Sequence, residues 1–217
     1  MPKLIWDATG EKKFETGTDR GVLYPMNATG AYAAGVAWTG LTNVTQSPDG
    51  AEETALYADN IKYVGLYSAE NFKGNIQAYT YPEEWEEMDG SAAAAEGVYV
   101  GQQNRQGFGF SYRTLIGNDV RGTDAGYKIH LIYNAKAAPS ERAYETVNDT
   151  PAGIQFSWDF TTTPVAIEGM KPSAHLTIDS TKVDAADLKA LEDLLYGNET
   201  TGASLPDPSA VIALFNN

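Results

Sequence analysis

Large apolar residues recur with period two along much of this chain, between clusters of Gly, Asn, Asp and Pro, which is the pattern of half-buried β-strands. Phe108, Phe110, Tyr112 and Thr114 alternate with Gly109, Ser111, Arg113 and Leu115, and Tyr127, Ile129, Leu131 and Tyr133 alternate with Lys128, His130, Ile132 and Asn134. Between them, Gly117-Asn118-Asp119-Val120-Arg121-Gly122 has the composition of a hairpin turn. Ile154, Phe156, Trp158 and Phe160 make a third apolar face, backed by Gln155, Ser157, Asp159 and Thr161 and stopped by Pro164. Weaker alternation predicts a strand at 174–179, and earlier strands are predicted at 36–45, 61–67 and 75–81.

Two helices are predicted. Asp184 caps one in which Leu188, Leu191 and Leu195 fall on a single stripe, with Gly197 at its end. The other is short and central: Pro82 in the first turn, Glu83 and Glu84 at the positive dipole end, and Tyr81, Trp85 and Met88 on one side. The fold class expected is therefore mainly β, a sandwich or barrel-forming arrangement of packed sheets with one short central helix and one late amphipathic helix. With 217 residues and 42% apolar content, one domain spanning 1–217 is expected. Segments 46–60 and 135–152 are read as long loops, which in a compact domain are functional or disordered. Pro206-Asp207-Pro208 breaks the chain before an apolar run from Ala210 to Phe215, a terminus that needs a surface to dock on.

Composition narrows the chemistry. The chain has no Cys, which removes disulfides and thiolate chemistry. Its 15 basic and 29 acidic residues give a net charge of −14, which opposes tight phosphate binding, although acidity more commonly serves solubility. His130 and His175 lie in predicted strands with no neighbouring pattern that completes a triad or a ligand set, so no catalytic or metal role is expected. The acidic run Glu83-Glu84-Trp85-Glu86-Glu87-Met88-Asp89 reads as a solvated helix face, since it lacks a ligand-spaced loop with its turn Gly. Carboxylate pairs carry no weight in so acidic a chain. The glycines of 101–109 precede a strand and match no phosphate-binding motif. No signal-peptide pattern or membrane-length apolar run is present, so a cytosolic protein is expected, and the sequons at Asn27, Asn43, Asn148 and Asn198 are read as chance.

Six segments taken in order resemble the major tail proteins of long, non-contractile bacteriophage tails from Gram-positive hosts. They are Pro2-Lys3-Leu4-Ile5-Trp6-Asp7, Asp19-Arg20-Gly21-Val22-Leu23-Tyr24-Pro25, Leu56-Tyr57-Ala58-Asp59-Asn60-Ile61-Lys62-Tyr63, Tyr79-Thr80-Tyr81-Pro82-Glu83-Glu84, Phe108-Gly109-Phe110-Ser111-Tyr112-Arg113-Thr114 and Leu176-Thr177-Ile178-Asp179-Ser180-Thr181. The resemblance implies a tail tube fold whose subunits form six-membered rings, with strands of all six joined in an inner barrel and rings stacked head to tail into a DNA conduit. It implies no enzyme activity and no cofactor. The partners it implies are further copies of the chain, a tape measure protein, the distal tail-tip protein and a tail terminator protein, with double-stranded DNA passing through unbound and no membrane. The expected location is the virion tail, after assembly in the host cytoplasm.

On this reading 46–60 is an inter-ring loop in which Gln46, Ser47, Pro48, Asp49, Gly50, Glu52, Glu53, Tyr57 and Asp59 make contacts. An N-terminal arm of about residues 1–20 acts through Leu4, Ile5 and Trp6, and a C-terminal arm of about 198–217 through Val211, Ile212, Leu214 and Phe215. A net-negative lumen is expected, which requires Lys62, Lys73, Arg113 and Lys128 to turn from the channel or to pair with carboxylates such as Glu70 or Asp119. The competing class is a monomeric β-sandwich module that binds carbohydrate or protein through some of the 13 tyrosines.

Overall fold

A computed structural model describes residues 3–146 and 153–216; the Asn148 sequon and the turn expected at 148–151 lie outside them. Strands cover Lys13–Pro25 (β1), Val36–Trp38 (β2), Leu41–Gln46 (β3), Asp49–Gly50 (β4), Glu53–Ala58 (β5), Ile61–Tyr67 (β6), Glu70–Asn71 (β7), Lys73–Ala78 (β8), Ala92–Ala95 (β9), Val98–Val100 (β10), Gly107–Asn118 (β11), Gly122–Ala137 (β12), Phe156–Thr162 (β13) and His175–Asp179 (β14). Helices cover Trp85–Met88 (α1), Ala185–Tyr196 (α2) and Pro208–Leu214 (α3). The protein is mainly β, and its sheets are antiparallel.

The principal sheet runs β2-β1-β11-β12-β13-β8-β3, with β14 also on β12. β12 is its spine because it changes partner along one edge. Residues 128–132 pair with β14, whereas 135–137 pair with β13. Asn134 stands at the exchange with a left-handed φ of +48°, a conformation that bends and twists a strand. Its neighbourhood is tied down on both sides: Tyr133 N–H donates to Ala174 O at 2.9 Å, Asn134 N–H to Tyr32 Oη at 2.8 Å, and Asn134 O accepts from Thr163 N at 3.1 Å. Beyond this bend the sheet curls so far that Trp38 on β2 meets Trp158 on β13, with ring centroids 5.6 Å apart, although three strands separate them in sheet order.

Curling encloses one core and leaves a second on the outer face. Inside are Leu23, Trp38, Ile76, Phe108, Phe110, Trp158 and Phe160, and α1 plugs the end with Trp85 and Met88, both fully buried. Pro82 accepts a hydrogen bond from Trp85 N at 3.0 Å, so it belongs to the turn before α1 and not to the helix itself. On the outer face Val22, Tyr24, Ile129, Leu131, Tyr133 and Ile178 receive Leu188, Leu191 and Leu195 of α2. Asp184 caps α2 by accepting from Ala186 N at 2.8 Å, and Gly197 ends it at φ +76°. Tyr24 Oη donates to Leu195 O at 2.8 Å, locking the last turn.

Several expectations need correction. A third helix, α3, replaces the predicted C-terminal arm: Pro208 occupies its first turn, where a missing N–H costs nothing, and the chain before it is held by Ser204 N donating to Leu194 O at 2.8 Å. Val211 is buried, and Leu214 and Phe215 pack against the same core. The N-terminal arm ends earlier than residue 20, because β1 pairs with β11 from Lys13↔Asn118 onward. Its polar opening, Lys13-Phe14-Glu15-Thr16-Gly17, hides the strand from an apolar-period reading. The 36–45 strand is two strands, broken at Gly40 with φ +78°. Leu191→Ala is expected to lower stability by about 2–5 kcal/mol, measured by urea unfolding, because the fully buried side chain sits between sheet and helix; a loss below about 1 kcal/mol would contradict that packing.

Candidate assembly interface

The 46–60 segment is not a loop. It is the first limb of a two-stranded arm in which β5 pairs with β6 and with nothing else, above a short root where β4 pairs with β7. Asp59 and Asn60 turn the arm at φ +51° and +63°, the doubly left-handed geometry that fits the twist of a two-residue hairpin. Gly50 closes the root at φ +93°, where an added Cβ would lie 2.4 Å from Ala69 O. Opposed pairs alternate between faces, so Thr54/Leu66 and Leu56/Val64 share one side while Glu53/Tyr67 and Ala55/Gly65 share the other. Leu56, Val64 and Leu66 are 44%, 40% and 53% exposed, which makes an apolar ribbon face left uncovered among the described residues.

The nine residues expected to act as an inter-ring loop therefore divide. Tyr57 and Asp59 are exposed on the arm, and Glu53 pairs with Lys62 across Gly65. Asp49, Gly50 and Glu52 belong to the root, where Asp49 pairs with Lys73 and the Glu52 N–H donates to Ser68 Oγ at 3.1 Å. Ser47 N–H donates to Lys73 O at 2.8 Å, and Pro48 lines a cavity beside the root. Gln46 points back into the body.

A second surface is the layer β1-β11-β12-β14. β2 covers β1 only at Gly21–Leu23, so residues 13–19 present an unpaired outer edge, and β14 pairs on one edge only. Among the described residues the layer thus ends in an edge open along 13–19 of β1 and in the open outer edge of β14. On the face away from α2, a groove of about 650 Å³ is lined by Lys13, Glu15, Arg121, Lys128, Asp179 and Lys182 among others. That balance of four cations to two carboxylates runs opposite to the chain's net −14.

All four cations that a negative lumen would have to neutralise are paired, but with other partners than Glu70 and Asp119. Lys62 pairs with Glu53, Lys73 with Asp49 and Lys128 with Glu15. Arg113 grips Asp19 with two bonds of 2.8 and 2.6 Å, lies 4.8 Å over the Tyr127 ring, and so turns toward α2, where Tyr127 Oη donates to Glu192 at 2.9 Å. Asp19 holds the Arg113 guanidinium above its ordinary pKa, and the Lys73 ammonium holds Asp49 below the usual carboxylate range. Asp119 instead accepts from Gly10 N at 3.0 Å, anchoring the N-terminal segment to the β11–β12 turn.

From that anchor Leu4, Ile5 and Trp6 stand 72%, 80% and 73% exposed, available to another chain. Val211, Ile212, Leu214 and Phe215 do not join them: folding into α3 buries or half-buries all four. The acidic run keeps Glu83, Glu84 and Glu87 exposed, as a solvated face requires, while Glu86 and Asp89 are half-buried. Glu83 accepts from Tyr99 Oη, Glu86 from Tyr81 Oη and Glu87 from Gln106 Nε2, each at 2.8 Å, while Asp89 pairs with Arg142 and accepts from Trp158 Nε1 at 3.2 Å. These carboxylates fasten the β9–β10 hairpin, the 101–106 loop and the 138–146 segment around α1.

Reasoning from sequence also missed a buried polar cluster. His130 and His175 stack with their ring planes 6° apart and are covered at either end by Tyr112 and Phe72. Burial pushes both imidazoles down to about 4, and for His130 the neighbouring His175 adds to the effect. Cross-strand register alone would have put His130 opposite Thr177 and Ile132 opposite His175, making the two histidines diagonal neighbours.

Among the described residues no helix is long and apolar enough to cross a membrane. No protein-family model matches the chain, and no curated protein matches it in sequence. Asp19→Ala is expected to cost about 1–3 kcal/mol by stranding the Arg113 guanidinium, 14% exposed, and adding Arg113→Met should recover part of that loss. A double-mutant cycle with no coupling between the two positions would contradict the account.

Proposed function

We propose that this chain is a structural subunit of a long, non-contractile phage tail, in which rings of six copies stack head to tail into a tube that conducts DNA. The observation that carries the reading is the pairing of a four-stranded layer open at both edges with an arm whose apolar face has no cover. Left in a monomer, open edges and an apolar ribbon are aggregation hazards; used between copies, they are adhesive surfaces. Joining the β1 edge of one copy to the β14 edge of the next is a head-to-tail contact that closes into a ring, and the arm and the Leu4-Ile5-Trp6 segment reach outward to adjacent rings. The ordered sequence resemblance supports the same conclusion.

In such a tube the subunit needs no catalytic step or cofactor. Its partners are other copies, the tape measure protein, the distal tail-tip protein and the terminator, and it resides in the virion tail after assembly in the host cytoplasm. Pairing the sheet cations with carboxylates limits the salt-dependent phosphate affinity that would retard a passing duplex. A second reading, a monomeric carbohydrate- or protein-binding module, is favoured by Tyr57, Tyr63 and Tyr67, each more than 70% exposed on the arm. The two differ in mass at high concentration.

Concentrated subunit supplied with tail-tip complex and tape measure protein is expected to form tubes visible by electron microscopy. Leu56→Lys with Leu66→Lys should leave a folded monomer that builds none, since both changes fall on the uncovered arm face. Wild-type protein that stays monomeric under these conditions, or a double variant that assembles normally, would sink the proposal.

A further inference from the structure

Gln46 ends β3 and Phe72 precedes β8, so together they are the two points at which the arm leaves and rejoins the body. Both rest on the histidine pair. Phe72 stacks on His175 with centroids 4.7 Å apart and planes 8° apart, His175 lies 5.6 Å from His130, and His130 lies 4.6 Å from Tyr112. Gln46 Nε2 stands 3.2 Å from His130 Nδ1, 3.3 Å from His175 Nε2 and 2.5 Å from Tyr112 Oη. We infer that the His130–His175 pair is a pH-operated latch: as neutral rings they hold both roots of the arm to the sheet, and on protonation they release them.

The hydrogen-bond partners dictate the protonation state. Gln46 Nε2 has two hydrogens for three neighbours: one goes to Tyr112 Oη, and the other needs a lone pair on His130 Nδ1 or His175 Nε2, which an imidazole nitrogen supplies only while the ring is neutral. With His130 Nδ1 as that acceptor, His130 Nε2, 3.1 Å from Thr114 Oγ1, carries the ring proton. Protonation converts both acceptors into donors facing the amide, and it places two cations in nitrogens 3.4 Å apart. No counter-ion is in place to absorb that charge. Glu15, the carboxylate felt by His130, is already paired with Lys128, itself a repelling charge. Glu70 from the arm root and Lys171 from the segment before β14 line the cavity that His175 also lines, with the Lys73–Asp49 pair at the root, and none of these bonds to an imidazole among the described residues. From β11 and β14, Tyr112 and Thr177 contribute neutral hydroxyls. The cavity, about 1080 Å³, gives Phe72 room to leave its stack.

Burial holds both rings down to about 4 in the folded protein, against an ordinary 6.5. The stabilisation is complete above 6.5 and is lost as pH falls from 6.5 toward 4, because there the opened state binds protons that the closed state refuses. As a control on the arm this rests on the proposed role of the arm in assembly, yet it is testable on the isolated subunit.

The chain has two histidines and no cysteine, so imidazole resonances are assignable and labels can be placed at will. Nitroxides on Asp59→Cys and Val120→Cys should give a narrow distance distribution at pH 7.5 and a broad one near pH 4, with both imidazoles titrating near 4 and the near-ultraviolet signal of the buried tryptophans unchanged. His130→Phe with His175→Phe should keep the distribution narrow at both pH values, and Gln46→Ala should broaden it at pH 7.5. Should the double substitution fail to fold, His175→Phe alone is expected to shift the broadening to lower pH. An arm that stays ordered with both rings protonated, imidazoles that titrate near 6.5, or equal broadening in the Phe variants would overturn the latch. Failure to form tubes would bear on the function proposed above and leave this result standing.

Discussion

A β-strand has two hydrogen-bonding edges, and each stretch of an edge serves one neighbour. In this protein β12 divides one of its edges between β14 and β13, and the left-handed Asn134 marks the division. Everything else in the fold follows from that exchange. The half of β12 paired with β14 stays in an open four-stranded layer backed by α2, and the half paired with β13 curls over to enclose the tryptophan-rich core. One strand therefore links a closed body to a layer whose edges are open at 13–19 and along β14.

The closed body explains how so much exposed apolar surface and open edge is tolerated. Trp38, Trp85 and Trp158 interlock at centroid distances of 4.7–5.6 Å and anchor the sheet from which the arm departs. Carboxylates from the segment around α1 fasten the peripheral pieces to this block. The arm, by contrast, is held at its root by backbone pairing, by the Lys73–Asp49 contact and by the stacked rings under Gln46 and Phe72. Among the described residues nothing covers its Leu56, Val64 and Leu66 face, an observation that favours the proposed assembling subunit over a free-standing module.

Much of this was legible in the sequence, for identifiable reasons. The face of β13 and the capped α2 stand out because each buries one face only, whereas β11 and β12 are buried on both faces and stay legible because large aromatic or aliphatic residues on one face alternate with smaller or more polar ones such as Gly109, Ser111 and His130 on the other. β1 was hidden because its outer half is polar. The arm was hidden by length: 46–60 looks structureless until Asp59-Asn60 is seen as a two-residue turn between Glu53–Ala58 and Ile61–Tyr67. The C-terminal run reads as a docking arm because Pro206 and Pro208 look like breaks, whereas Pro208 starts a helix that folds back on Leu205 and α2. The ion-pair partners of the four sheet cations and the histidine stack depend on register between distant strands, which no local pattern encodes.

The central claim is that the open edges of the β1-β11-β12-β14 layer are where copies join. Amide hydrogen exchange, compared between dilute subunit and assembled material, tests it most directly. The account predicts that outer-edge amides within 13–19 and within β14 exchange freely in the subunit and become strongly protected on assembly, together with the arm. Assemblies in which those edge amides still exchange at subunit rates would contradict it.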